Sequence, residues 1–201
     1  GNGAPFKTGI GERTVMVRVG AAGTETRLRV SARTSEGETF LKEIVFMPAG
    51  VSLLWQAHTS VPPYYQGRAL PTAGSSITII AEPNFIDAKG KSLEAGSLVY
   101  EWSRNGNKLE DASGYGKYSL EIPSMSSLSA ENIAVTATDL SGMMVAEATT
   151  YIPVLEPRLA LYEEDPLIGT RFETALMNAF NMLKEEVTLR GEPYFYAYER
   201  M

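Results

Sequence analysis

Between Arg27 and Arg33 polar and apolar side chains take strict turns: Leu28, Val30 and Ala32 alternate with Arg27, Arg29, Ser31 and Arg33. A period of two is the pattern of a strand with one face buried and one wet. The same alternation returns at Leu98, Tyr100 and Trp102 and in the run from Ile133 to Thr138. Further β-rich runs lie at 14–19, 39–47, 51–56, 76–81 and 143–152, separated by Gly- and Pro-bearing breaks. Asn105-Gly106 follows the Trp102 run and predicts a hairpin turn, since both residues tolerate positive φ. Val61-Pro62-Pro63-Tyr64-Tyr65 reads as an extended edge or linker segment, because successive prolines remove ladder donors.

One stretch departs from this period. Thr170 and Glu173 have the spacing of a capping box. Phe172, Ala175, Leu176, Ala179, Phe180 and Leu183 then fall on one helical face. The pattern predicts a short amphipathic helix over about 171–184, lying on its own sheets or docking a partner.

The chain also repeats itself. Gly9-Ile10-Gly11 and Gly114-Tyr115-Gly116 open near copies about 105 residues apart, and the same offset carries Leu28, Val30, Ala32 and Gly37 onto Ile133, Val135, Ala137 and Gly142. Near the C-terminus, Val187 to Phe195 copies Ile77 to Phe85, and Leu159 to Tyr162 copies Val51 to Trp55 with Tyr162 in the place of Trp55. A fixed period is the signature of modules in an array. Three units follow: residues 1–49 as the later strands of one module, 50–157 as a complete β-sandwich, and 158–201 as the early strands of a third with the helix inserted. The outer parts are complementary. They are expected either to belong to a longer array or to meet, within one molecule or between identical chains, by strand pairing.

Composition narrows the chemistry. Of 201 residues, 44% are hydrophobic and 21% charged, ordinary globular usage without a run long enough to span a membrane as a helix. A net charge of −6 argues against a nucleic-acid partner, which calls for clustered Lys and Arg. Cysteine is absent and His58 is the only histidine, so thiolate chemistry and paired-imidazole sites are excluded. The chain is read as non-catalytic, with no cofactor and no metal site. Glu163-Glu164-Asp165 is the nearest approach to a Ca²⁺ site between modules, and reads more simply as a solvated loop. The Gly-x-Gly pairs lack the third glycine and following helix of a phosphate loop, and instead mark bends entering strands. Asp139 is placed to shape the turn before Gly142.

Trp55, Tyr64 and Tyr65, flanked by Pro62 and Pro63, form the candidate binding surface, as aromatic residues on a rigid segment do in recognition patches. The simpler role for all three is packing the joint between modules. The aromatic tail from Tyr194 to Tyr198 would be a sticky edge if left open, so something should cover it.

The Tyr100-x-Trp102 strand, Asn105-Gly106 and the run Ile133 to Gly142 together resemble bacterial immunoglobulin-like modules of the PKD kind, over roughly residues 66–157 with an echo in 1–49. Arg104-Asn105-Gly106-Asn107 stands where that family carries a Gly-Asp-Gly turn. The resemblance implies an all-β, immunoglobulin-like tandem array in an extracellular, cell-surface bacterial protein or fibre. Its modules would be structural or adhesive spacers, paired with neighbouring modules, identical chains, or a surface protein or glycan. The alternative is a carbohydrate-binding accessory module of a secreted hydrolase, with Trp55, Tyr64 and Tyr65 stacking on sugar rings.

Overall fold

A computed structural model describes residues 7, 9–11, 14–17, 20–125, 130–176 and 185–197. It is all-β, built of antiparallel sheets. The strands are β1 (Thr26–Arg33), β2 (Thr39–Phe46), β3 (Gly50–Ser60), β4 (Ser76–Asn84), β5 (Val99–Arg104), β6 (Asn107–Lys108) and β7 (Gly114–Tyr115). They continue with β8 (Ser119–Ile122), β9 (Glu131–Thr138), β10 (Val145–Ile152), β11 (Arg158–Asp165), β12 (Gly169–Thr170), β13 (Thr188–Tyr194) and β14 (Tyr196–Ala197).

The centre of the molecule is one core shared by two sheets. One sheet has the order β14-β3-β4-β8; the other has β10-β9-β5-β6, with β7 on β5. Alternate residues of each strand point inward: Ile77, Ile79 and Ala81 from β4, Leu120 and Ile122 from β8, Tyr100 and Trp102 from β5, and Ile133, Val135 and Ala137 from β9. Trp102 is fully buried, and its indole N–H donates to the Lys117 carbonyl at 2.8 Å. Burial on this scale contributes roughly 2 kcal/mol or more per large apolar side chain. Tyr100 meets the same problem by donating its hydroxyl to the Ala95 carbonyl at 2.9 Å, and burial pushes its pKa up to about 12. Met47 enters this core from the segment that joins β2 to β3.

Turn chemistry sets the connections. Asn105 and Gly106 have φ of 51° and 81°, the pair of positive values a tight hairpin needs between β5 and β6. The Asp139 carboxylate accepts from the Ser141 backbone N–H and hydroxyl and from Met144 N–H, closing the loop between β9 and β10. Burial works against its ionisation, but these hydrogen bonds outweigh it and hold the carboxyl below its ordinary value. The Glu131 carboxylate, almost fully buried, forms a two-point ion pair with Arg104 that ties β9 to β5.

Two flanking sheets repeat the pairings of the central one. β1 and β2 form a hairpin of two eight-residue strands, as do β9 and β10, and Gly37 and Gly142 both turn at positive φ. The correspondence is closer still between β3–β4 and β11–β13. Val51 lies opposite Pro83 and Leu53 opposite Ala81; Leu159 lies opposite Pro193 and Leu161 opposite Gly191. That register puts Tyr162 in the position of Leu54, not of Trp55 as the sequence suggested: Leu54 faces Ile80, and Tyr162 faces Arg190.

Three expectations meet a different local structure. Residues 14–17 are not in a strand, and the rest of that run, 18–19, lies outside the described residues. The segment 61–65 is a turn, not an extended edge: Tyr65 N–H donates to the Pro62 carbonyl at 2.9 Å, and Pro63 supplies the fixed φ that such a turn uses at its second position. The helix over 171–184 is not seen where it can be examined. Residues 171–176 run through a turn, Arg171 N–H bonds to the Glu163 carbonyl, and Leu176 N–H bonds to the Leu161 carbonyl at 2.7 Å. Strand β11 has thus captured the Leu176 N–H, which a helix would have used internally; residues 177–184 lie outside the described ones.

Candidate functional site

The three candidate residues divide between two environments. Trp55 sits on β3, partly buried against the central core, with the Arg68 guanidinium 4.3 Å above its ring. Tyr64 and Tyr65 project from the Pro62–Pro63 turn toward the sheet of β11 and β13. The turn itself is anchored by Pro62, which is buried.

Tyr64 stacks on Phe172 with ring centroids 4.1 Å apart and meets the edge of Tyr162 at 6.5 Å. Tyr65 meets Tyr194 and Phe195, each at 5.7 Å and nearly perpendicular. A Cβ on Gly67 would collide with the Tyr65 ring, so glycine is what lets the ring lie across the backbone there. Such edge-to-face and tilted pairs are each worth about 0.5–1.5 kcal/mol beyond area burial. Together they make a joint between the central sheets and the β11–β13 sheet.

The hydroxyls of this joint form a chain. Tyr194 donates to Tyr64 at 3.3 Å, and a phenol has a single proton, so at the 3.0 Å contact between Tyr162 and Tyr194 the donor is Tyr162. Desolvation in the joint raises the Tyr64 pKa well above its ordinary value. The Tyr162 pKa is raised mainly by its bond to Tyr194. The joint therefore favours neutral phenols. Glu192, buried on the same face of β13, is held by Arg190 at 2.6 Å.

Backbone pairing completes the joint. At Phe195 the chain takes φ of 62°, a costly conformation for a bulky residue, and turns from β13 onto the central sheet. Its N–H donates to the Ser60 carbonyl at 2.6 Å, its carbonyl accepts from the Thr72 hydroxyl at 2.8 Å, and β14 adds to the end of β3 opposite Thr59 and Ser60. Backbone pairing thus covers the edge at 195–197; Tyr198 lies outside the described residues. Leu155, on the segment leading to β11, bridges to Thr72 as well.

The remaining candidates are structural in their contacts. His58 shares a hydrogen bond with Thr78 across β3 and β4. Asp165 accepts from the Leu167 and Ile168 N–H groups and faces Arg171 at 3.6 Å, within a turn. Among the described residues no cluster of three or more His, Asp or Glu is arranged to hold a metal ion, and no helix is long and apolar enough to cross a membrane. Sequence reasoning missed Tyr162 and Phe172 as joint residues; the signal available was the aromatic content of 162–172 lying close to the early strands of a repeat.

No known protein family matches the chain, and no curated protein or solved structure matches it either.

Proposed function

We propose that the chain is a non-catalytic structural or adhesive segment of an extracellular bacterial surface protein or fibre, built of immunoglobulin-like modules in tandem that act as spacers and protein–protein contacts. The observation that carries this reading is the recurrence of register: Val51 against Pro83 and Leu159 against Pro193 are the same hairpin made twice. The PKD-like resemblance around Tyr100, Trp102 and Asp139 supports a surface location. The joint at Tyr64 and Tyr65 supports a spacer, since it is how one module would be fixed to the next.

Sugar stacking, the alternative role, needs rings with an open face, and Tyr64 and Tyr65 already have aromatic neighbours. Antibody labelling of intact bacteria that make the protein tests the proposal. Surface label removed by external protease supports it; label that appears only after permeabilisation overturns it.

A further inference from the structure

Directly opposite residues of an antiparallel pair share a face, so the register assigns each flanking sheet an inner and an outer side. In β9 and β10 the inner side is Ile133, Val135 and Ala137 with Ala146, and it is buried in the central core. The corresponding side of the β1–β2 hairpin is Leu28, Val30 and Ala32 with Phe40 and Ile44. There Val30, Phe40 and Ile44 are 42%, 60% and 41% exposed. In β3 and β4 the inner side is Val51, Leu53 and Trp55 with Ile77, Ile79 and Ala81. Its counterpart on β11 and β13 is Leu159, Leu161 and Leu189, which are 60%, 38% and 43% exposed. The joint uses the opposite side of that sheet, where Tyr162 and Tyr194 lie. Two apolar faces are thus open, and their counterparts in the centre of this molecule pack on each other.

The two faces do not pack on each other within the chain: the hairpin precedes the start of β3 at Gly50, and the other sheet is pinned to its far end at Ser60. We infer that the β1–β2 face of one copy docks on the β11–β13 face of a second copy, reconstituting between molecules the sandwich that 50–157 forms within one. Charge favours the same partner. Within the apolar faces the polar members are complementary: Lys42 stands opposite Val30, and Glu163 opposite Leu189. Their central counterparts are Ala148 and Trp55, on β10 and β3, two strands that touch along one margin of the sandwich. Docking therefore brings Lys42 of one copy toward Glu163 of the next. The contact is heterologous and leaves a free face at each end, so it propagates head to tail.

The inference rests on the tandem-module reading, and mixing experiments separate the two. In analytical ultracentrifugation the chain is expected to shift from monomer to dimer and larger species with rising concentration. Ile44→Glu and Leu161→Glu each disable one face, and each variant alone should stay monomeric with an unchanged thermal transition of the central core. Mixed together they should form a one-to-one dimer, because each keeps the face the other has lost. Lys42→Glu should weaken self-association, and combination with Glu163→Lys in the same chain should restore it. A parent chain that remains monomeric at all concentrations, with 26–46 protected in hydrogen exchange, overturns the docking and leaves the module reading intact. An unprotected 26–46 hairpin overturns both.

Discussion

The Tyr194 hydroxyl donates to the Tyr64 hydroxyl across the joint at 3.3 Å, linking the last strand of one sheet to a turn of another. Tyr64→Ala removes this bond and the stacking on Phe172, contacts worth about 0.5–1.5 kcal/mol for each aromatic pair. The expected outcome is local. Hydrogen exchange should accelerate in β11 and β13, while the thermal transition of the central core stays in place.

The same hydroxyls predict a response to alkali. A phenol whose folded pKa is raised contributes its full stability below the unfolded value near 10, and that contribution is lost as pH rises through the folded value. Desolvation in the joint raises Tyr64. Absorbance titration should therefore show Tyr64 among the last tyrosines to ionise, with Tyr64→Phe removing that late component.

At the opposite end of the pH scale the Asp139 carboxyl is held below its ordinary range by the donors of its turn, which outweigh its burial. Its contribution is present above the unfolded value near 4 and lost as pH falls through the folded one. Denaturant unfolding of Asp139→Asn should show a deficit against the parent at pH 7 that narrows at strongly acid pH. A constant deficit would refute this account of the turn.

Glu131 and Arg104 make a two-point pair with Glu131 buried. Removing one partner strands the other, so Glu131→Ala should cost about 3–5 kcal/mol, and exchanging both residues for methionine should recover most of it. Equilibrium unfolding of the single and double variants provides the comparison.

Trp102 offers a check on the core itself. Trp102→Phe leaves the Lys117 carbonyl without its indole donor and a void beside it, at a cost of about 1–3 kcal/mol for the hydrogen bond alone. The thermal transition should fall. Tryptophan emission should then report Trp55 alone, since the chain has only these two.

Strand positions were readable from sequence wherever burial alternates, because a period of two is local information. Leu98, Tyr100 and Trp102 announce an inner face, and Asn105-Gly106 announces a turn, without knowledge of any neighbour. Which side of β11 is covered is another matter. Leu159 and Leu161 read as core, yet Tyr162, next to Leu161 and on the other face, is the buried one, since coverage depends on what lies across the sheet. The turn at 171–176 shows the same limit. A helical spacing of apolar residues was present, but neighbouring β11 carbonyls compete for the donors. Nor does anything in the sequence signal the bend at Phe195, whose φ is fixed by Ser60 and Thr72, more than 120 positions away.

The route of the chain at the two ends of β3 is unequal. Toward β2 the backbone passes once, with Met47 as its plug; toward β11 it passes out after Val154 and returns through Phe195 to β14. A single strand of backbone resists twisting little, and here the close approach of Gly23 to Ile86 steadies it. Two crossings side by side behave as a plate, resisting bending and torsion alike. Under tension or flow, such a segment would yield first where the Gly23–Ile86 contact parts and stay stiff at the aromatic end.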